Sequence, residues 1–353
     1  MAHRLFVLYD AGAMAPESSE EHLRDSAAPA ADAPNSEAPG PRSPRSVLGL
    51  VSWSLVVLVV LVELVGHVAI QVRVPPDSDW AEAAAFVRTS LAPKDTVVAA
   101  PGWADPLVRR ELGDVMSFNM AGMSDLAPFE RLWALSIRGH LPELAPARAP
   151  DFERVFGQVR VMRWDLGRSQ VLYDFVDHVE EASADFDEDG RRRVCEKRHG
   201  PSSPGGLSTG PSVPHERFVC DPQRPWLWVG ATVMEDLSLA PRYCVYEHPI
   251  GPTPFRVSFP NVPLGDRLVV YAGLFSEHER MQEWPDIRVR VLADGREIAN
   301  MNHQDGEGWK RLEALTGPGL ASEVTFEVTC PVPHYRTFCW SATTRSGSTE
   351  RVP

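Results

Sequence analysis

The sequence predicts a single transmembrane helix followed by a small α/β subdomain and an antiparallel, jelly-roll-like β-sandwich. Three observations support this class: residues 47–72 are an apolar run without Lys, Arg, Asp or Pro, residues 73–180 alternate helix and strand patterns, and the chain after Trp226 consists of short strand-like segments. The composition, 43% hydrophobic with a net charge of −13 over 353 residues, is typical of a folded chain. It lacks the broad basic surface that nucleic-acid binding needs.

Residues 1–46 are predicted to be a disordered tail. The segment is rich in Ala, Pro, Ser and Glu and lacks an apolar period that builds a core. It is also too long and too acidic to be the basic start of a secretory signal.

Residues 47–72 are predicted to cross a membrane. These 26 residues make a helix about 39 Å long, longer than the ~30 Å hydrocarbon layer. The alternative, a buried core helix, seldom stays apolar on every face. Glu63 and His67 lie on one face of this helix. They either recruit another helix or relay protons, or the lipid core covers residues 47–66, so that Glu63 lies near one edge and snorkels to the interface while His67 lies in the headgroups, which we favour.

The basic residues near the span do not set its orientation. Arg42 and Arg45 precede it, and Arg73 and Arg88 follow it. All five cysteines lie after the span, and cysteines in such a domain favour an oxidising compartment. We therefore expect a cytoplasmic tail and an extracytoplasmic body in the cell envelope, for example the periplasm.

The segment 73–180 is predicted to form the small α/β domain. Asp79 is the expected cap of a helix over residues 80–91, and Asp105-Pro106 begins a second helix that ends at Leu112. Strands are predicted at residues 96–100, 114–118, 131–137 and 158–166. The loop after the first strand is not a Gly-rich phosphate cradle, and we predict no cofactor. Asp105 and Asp114 are possible acid–base groups, but surface loop carboxylates are common.

Residues 181–215 are predicted to be a charged linker that ends in a Pro-, Ser- and Gly-rich run. An alternative is a calcium loop, because Asp185, Asp187, Asp189 and Glu196 occupy the first, third, fifth and twelfth positions of an EF-hand pattern. Three arginines at the seventh to ninth positions would repel the cation. We therefore favour the linker and no metal.

Residues 216–345 are predicted to be the β-sandwich, with a disordered end at residues 346–353. Asp294-Gly295 is a two-residue hairpin signal. The predicted strands are short and separated by turn residues, as in antiparallel sandwiches. They cover residues 227–234, 242–247, 255–259, 267–275, 287–293, 297–302, 309–314, 323–330 and 335–343.

The ligand-binding candidates lie in this predicted sandwich. Exposed tryptophan faces stack on sugar rings, and Trp284 sits in a predicted loop, although most tryptophans in such a domain pack in the core. Polar residues in nearby loops could complete a site, but no spacing among them defines a metal centre. The candidate set is Trp284, His278, Arg280, His303, Asp305 and Trp309.

The five cysteines contain no CxxC pair, and their odd number leaves at least one without an intrachain partner. A bond between Cys195 and Cys220 would close the long loop. Cys330 and Cys339 would be too far apart across a tight turn. The alternative is a bond between Cys244 and Cys339.

Two parts of the chain resemble known families. DWAEAAAFVRTSLAPKDTVVAAPGWADPL (79–107), RLWALS (131–136) and FGQVRVMRWDL (156–166) resemble the extracytoplasmic region of bacterial family-39-type membrane glycosyltransferases. Those enzymes have many membrane helices and acidic residues in their first external loop. This chain has one predicted span and no counterpart of that loop, so no catalytic residue carries over.

The second resemblance lies in the β region. FRVSFPNVPLGDRLVVYAGL (255–274), GWKRLEAL (308–315) and FCWSATT (338–344) look like a galactose-binding-type jelly roll. Domains of that type commonly bind sugars, but the fold alone does not confer binding.

The sequence therefore predicts a single-pass membrane protein with a non-enzymatic, carbohydrate- or partner-binding body. Its expected partners are the lipid bilayer and an envelope glycan or another membrane protein. The alternative is a glycan-modifying enzyme or a truncated relative of a membrane glycosyltransferase. A cleft with two carboxylates ~5–10 Å apart, or a His/Asp cluster at one end of the sandwich, would favour the enzyme.

Overall fold

The computed structural model describes residues 44–205, 209–281 and 284–347, with side chains from residue 51 onward. The predicted tail, up to residue 43, and residues 348–353 of the predicted C-terminal end lie outside this part of the chain. Two compact units can be distinguished, residues 1–69 and 70–353. The predicted class is confirmed: one long apolar helix precedes an α/β layer and two antiparallel sheets.

Helix α1 spans Pro44–Val72 and contains 29 residues. It is long and apolar enough to cross a membrane by length and composition, and its large apolar side chains from Val51 to Val72 are exposed. It ends where the sequence predicts. Apolar residues lie on every side of this helix, and Glu63 and His67 share one of its faces.

The α/β layer contains one four-stranded sheet and three helices. The sheet has the order β1-β2-β4-β3, with β1 and β2 parallel and the other pairs antiparallel. Helices α2 and α3 bury an apolar stripe, including Trp80, Val87 and Val108, against the sheet. The helices are α2 Asp77–Ser90, α3 Asp105–Leu112 and α4 Phe118–Ala121; the strands are β1 Asp95–Ala100, β2 Arg131–Ile137, β3 Phe152–Phe156 and β4 Val159–Asp165.

Two local predictions in this layer are wrong. Helix α2 begins after Pro76, and the Asp79 carboxylate accepts a hydrogen bond from the Gln158 backbone N–H at 2.7 Å instead of capping the helix. The strand predicted at residues 114–118 is absent. That segment continues the turn after α3, where the Met116 N–H donates to Leu112 O, because packing of Val115 and Met116 against the helices outweighs their strand propensity.

The remaining strands form a sandwich of an eight-stranded and a six-stranded sheet. The first has the order β16-β13-β18-β11-β10-β9-β8, with β5 paired to β18; the second has the order β15-β14-β17-β12-β6-β7. Their bounds are β5 Val171–Asp174, β6 Ser183–Glu188, β7 Arg191–Val194, β8 Glu196–His199, β9 Glu216–Val219, β10 Trp228–Glu235, β11 Pro241–Glu247, β12 Phe255–Leu264, β13 Arg267–Leu274, β14 Ile287–Ala293, β15 Arg296–His303, β16 Lys310–Leu315, β17 Gly319–Thr329 and β18 Phe338–Arg345, with helix α5 at Ser276–Glu279.

The sandwich core lies between the two sheets. Aromatic side chains from both sheets meet there: the rings of Phe326 and Trp340 stack at 3.9 Å, and Phe175 lies edge-on to Phe326 at 4.9 Å. All strand pairs of the sandwich are antiparallel, and Asp294-Gly295 forms the predicted hairpin turn between β14 and β15.

The prediction of a linker at residues 181–215 is wrong for residues 183–199, which form strands. Strand β6 pairs with β12 in one sheet, and β8 pairs with β9 in the other. The charged residues made this segment look like a linker. Asp185 lies on the face of β6 that points away from the sandwich core, and it forms ion pairs with Arg192 and Arg256, each at 2.7 Å. The sandwich therefore begins with β5, about 45 residues before the predicted boundary at residue 216.

Two disulfides tie the sandwich together. One joins Cys195 to Cys220, and the other joins Cys244 on β11 to Cys339 on the neighbouring strand β18. These are the two pairings considered from the sequence. Cys330 is a buried thiol, and burial raises its pKa.

Candidate functional site

A cleft of about 270 Å³ lies where the segment after α4 meets the eight-stranded sheet. Carboxylates, tyrosines and one arginine converge there from five separate parts of the chain. We call it the interlayer cleft and define it by Asp125, Asp174, Asp177, Tyr243, Tyr271 and Arg345.

Hydrogen bonds to backbone carbonyls hold the segment after α4 against strand β11 of the sandwich. The Tyr243 backbone N–H donates to Gly122 O at 2.8 Å, and the Arg242 guanidinium donates to Met123 O at 3.0 Å. A side chain at Gly122 would overlap the backbone N of Tyr243. Glycine is therefore required for this close approach of the two layers.

Asp125 joins the two layers through charged and neutral hydrogen bonds. Its carboxylate accepts a hydrogen bond from the Tyr271 hydroxyl at 2.8 Å and pairs with Arg345 at 2.7 Å. The Ala127 backbone N–H donates to its other oxygen at 3.0 Å. Burial, together with the charge of Asp125, raises the pKa of Tyr271. Asp125 and Arg345 thus form an ion pair at the edge of the cleft.

Asp174 lies in a different electrostatic environment. It ends β5, and its carboxylate accepts a hydrogen bond from the Val176 backbone N–H at 2.9 Å. Burial, and next the nearby charge of Asp177, raise its pKa from 3.8 to about 6. Burial also raises the pKa of Asp177, and it raises that of Tyr243 to about 12. The cleft therefore combines a carboxylate balanced by arginine with one that is partly protonated near pH 6.

Replacing Asp174 with asparagine should stabilise the protein at pH 7. The folded-state pKa of Asp174 is above its unfolded value, so its ionisation costs stability as the pH rises from about 4 to 6, by up to about 3 kcal/mol. The amide oxygen of the new side chain would still accept from the Val176 N–H. We expect the difference in unfolding free energy between Asp174→Asn and wild type to grow over this pH range and then level off, measured by urea titration. A difference that does not change with pH would contradict the environment described for Asp174.

The predicted ligand-binding residues do not form one open site. Trp284 is half-buried beside His334 and Tyr335, and its backbone N–H donates to Asp305 at 3.2 Å. Asp305 forms a buried ion pair with Arg336, whose side chain is 1% exposed. His278 lies nearby and accepts a hydrogen bond from the Thr337 N–H at 3.3 Å, and burial lowers its pKa.

The other three candidates have separate contacts. His303 is buried against Glu279, with 3.1 Å between its Nε2 and a carboxylate oxygen of that residue. Arg280 lies at the surface and donates to Leu237 O at 3.3 Å. The Trp309 indole N–H donates to the Ser124 hydroxyl at 2.9 Å, on the side of the interlayer cleft. The Asp305 and His303 side chains therefore carry internal contacts that would have to break before a ligand could bind them.

The alternative calcium loop does not form. Asp189-Gly190 is the turn of the β6–β7 hairpin, and Asp187 pairs with Arg256 at 2.8 Å. Glu196 lies on β8 in the other sheet, beside Arg198. Within the described ranges, no group of three or more His, Cys, Asp or Glu side chains is placed to hold a metal ion.

The acid–base candidates of the α/β layer are engaged in ion pairs. Asp105 pairs with Arg109 one helical turn away, and Asp114 pairs with Arg88 at 2.5 Å. The hydrogen bond from Arg88 lowers the pKa of Asp114. Neither carboxylate lines the interlayer cleft.

Sequence reasoning missed the cleft residues because no motif links them. Asp125, Asp174 and Arg345 are separated by 49 and 171 positions along the chain. A local signal exists only at Asp174, whose carboxylate caps the turn that follows β5. Detecting the site required knowing which strands are neighbours.

No protein-family model and no curated protein matches the chain. Among solved structures, it is similar to the CBM51-2 and INT domains from Clostridium perfringens ZmpB in complex with GlcNAc, with 12% identity and a TM-score of 0.26 over 50% of this chain and 40% of that one. It is also similar to the tandem CBM51 modules of Sp3GH98, a family 98 glycoside hydrolase from Streptococcus pneumoniae SP3-BS71, with 10% identity and a TM-score of 0.27 over 54% and 57%. The chain thus spans about half the length of these structures. At such scores the similarity assigns no ligand, and the resemblance to membrane glycosyltransferases stays a prediction.

Proposed function

We propose that this chain is a membrane-anchored extracytoplasmic protein that binds a glycan in the interlayer cleft as an accessory, non-enzymatic module. The observation that carries the proposal is the convergence of carboxylates, tyrosines and an arginine in one cavity of about 270 Å³. This volume lies just below the ~300–1,000 Å³ of typical ligand pockets. It suits one sugar ring, with the rest of a chain outside.

The chemistry of the cleft matches a sugar. Vicinal hydroxyl groups donate to carboxylates such as Asp174 and Asp177 and accept from hydroxyl groups such as that of Tyr243, while the sugar ring faces are apolar. An aromatic pair lies beside the cavity: the rings of Phe118 and Tyr243 are 6.2 Å apart at 28°, and Phe118 is 69% exposed. A large exposed aromatic ring beside a polar cavity is a surface on which a second sugar ring can stack.

Two features support the proposed location. Helix α1 is long and apolar enough to serve as the single span, and both disulfides lie in the body that follows it. Structural disulfides persist in oxidising compartments. We therefore place the N-terminus in the cytoplasm and the body outside it. The proposed partners are lipid and an envelope glycan, with another membrane protein as the alternative partner through Glu63 and His67.

A glycan-array screen of the full-length chain in lipid nanodiscs tests the proposal. We expect binding to at least one envelope glycan, and a loss of tenfold or more in affinity for Phe118→Ala and for Asp177→Asn. Phe118 is 69% exposed, and Asp177→Asn keeps the side-chain volume while removing a charge, so both variants should fold. Trp284→Ala is the matched control and should bind like wild type.

Two results would contradict this assignment. If Trp284→Ala abolishes binding while both cleft variants retain it, the ligand site is the loop predicted from the sequence. If the wild-type chain binds no glycan on the array, the carbohydrate function is wrong.

A second candidate function is glycan modification, which one observation in the cleft supports. Asp125 and Asp174 are two carboxylates in one cavity whose environments differ, as in acid–base pairs of hydrolases. If the bound glycan is cleaved, Asp174→Asn should abolish cleavage while binding persists. Binding without turnover supports the accessory role.

A further inference from the structure

One end of the four-stranded sheet presents large apolar side chains to solvent. Trp103, in the turn after β1, is 62% exposed, and Leu141, after β2, is 59% exposed. The guanidinium carbon of Arg138 lies 5.8 Å from the centre of the Trp103 ring. Because β1 and β2 are parallel, both turns lie at the same end of the sheet. We call Trp103, Arg138 and Leu141 the rim.

The rim lies beside the residues at which helix α1 ends. The Arg138 guanidinium donates to Arg73 O at 3.4 Å, and the Gln158 side-chain amide donates to Val72 O at 3.3 Å. Gln158 belongs to the β3–β4 turn, which lies at this end of the sheet because Val159 pairs with Ile137. Two loops of the sheet therefore contact the last residue of the helix and the residue after it.

The Arg138 backbone adopts an uncommon conformation in the rim. Its φ is 56°, a value that arginine rarely takes, and Gly139 follows at 76°. The turn is closed by the His140 N–H donating to Ile137 O at 3.1 Å and by the Ser136 hydroxyl donating to His140 O at 2.5 Å. This conformation places the Arg138 side chain over Trp103 and leaves Leu141 exposed.

We infer that the rim rests on the surface of a lipid bilayer, with Trp103 and Leu141 among the headgroups and with Arg73 and Arg138 beside lipid phosphates. This inference rests on the proposed membrane span. A helix over residues 47–72 is about 39 Å long, and a bilayer with its headgroups measures ~40–45 Å. With residues 47–66 in the hydrocarbon layer, Arg73 lies seven residues, about 10 Å, beyond its edge, so Arg73 and the side chains in contact with it lie at the level of the headgroups.

The rim has the composition that such a position selects. Tryptophan is enriched at membrane–water interfaces, where its apolar ring and its N–H group both find suitable surroundings. Arginine near the surface is attracted to the phosphates of anionic lipids. Contact with lipid would also limit how far the body can swing away from the bilayer.

Hydroxyl-radical footprinting of the full-length chain tests the inference without any substitution. The chain is placed in nanodiscs that contain phosphatidylcholine and phosphatidylglycerol, and oxidation of Trp103 is compared with that of Trp226, which is 42% exposed in the sandwich. By its exposure alone, Trp103 should react faster. If it lies on lipid, it should react at least threefold more slowly than Trp226.

A charge reversal sharpens the test. Arg138→Glu should bring Trp103 oxidation back to at least the rate of Trp226 in anionic nanodiscs, because the carboxylate repels lipid phosphates. Arg191→Glu, an exposed position on β7, is the matched control and should leave the protection of Trp103 unchanged.

The outcomes separate this inference from the proposed function. If alkaline carbonate extracts the chain from vesicles, α1 does not span the membrane and the anchored function fails. If the chain stays inserted but Trp103 reacts as fast as Trp226, the anchor stands and the rim does not touch lipid. Protection in native membranes but not in nanodiscs would also overturn the inference, because it would assign the rim to a protein partner.

Discussion

Replacing both Cys244 and Cys339 with alanine should lower the free energy of unfolding by about 4.7 kcal/mol, the value expected for closing a loop of roughly 100 residues. The two cysteines are 95 positions apart, and the bond joins neighbouring strands of the eight-stranded sheet. Breaking it gives the unfolded chain more conformations while the strand pairing of the native state remains. The measurement is guanidinium unfolding of the full-length chain in detergent, followed by tryptophan fluorescence.

The second disulfide provides the matched comparison. Cys195 and Cys220 are 25 positions apart, so the double alanine variant at these positions should lose about 3.5 kcal/mol. A reducing agent should destabilise the wild type and leave a chain that lacks both bonds unaffected. Equal stability of the wild type with and without reducing agent would mean that the bonds do not form, and it would remove the support they give to an extracytoplasmic body.

Replacing Asp305 with alanine should destabilise the protein by about 3–5 kcal/mol, because removing one partner of a buried ion pair leaves the other charge without compensation. Arg336 is 1% exposed, and it also donates to the carbonyl of Pro285 at 2.8 Å. At a temperature where the variant is folded, its glycan affinity should equal that of the wild type. Thermal unfolding and the glycan array measure the two effects separately.

A double variant tests the physical reason. Asp305→Ala combined with Arg336→Leu removes both charges, and replacing a buried pair with apolar groups is often close to neutral. We therefore expect the double variant to regain most of the stability that Asp305→Ala loses. If Asp305→Ala instead folds with wild-type stability and loses glycan binding, Asp305 is a ligand contact, as predicted from the sequence.

Much of the fold followed from local patterns. The apolar run predicted α1, Asp105-Pro106 predicted the start of α3, and Asp294-Gly295 predicted the β14–β15 turn, since each depends on neighbouring residues alone. The errors lie where distant contacts outweigh local preference. Strand β6 was taken for linker because its charges face Arg256, which lies 71 positions away on β12.

The candidate site could not be predicted in the same way. Tryptophan and histidine in the sandwich loops were the favoured candidates, because those residue types often bind ligands. In the folded chain, His303 and Asp305 are already paired with Glu279 and Arg336. The interlayer cleft lies elsewhere, where the segment after α4 packs against the eight-stranded sheet.

The amino-acid sequence by itself determined the apolar helix, the antiparallel sandwich and the cysteines from which two disulfides form. Periodicity, turn residues and composition act over a few neighbouring positions, so they can be read without the fold. Only the tertiary structure decided which carboxylates meet in a cleft and which form ion pairs. The reason is that burial and charge pairing depend on which layers pack together, and Asp125 and Arg345 become partners only when the α/β layer rests on the sandwich.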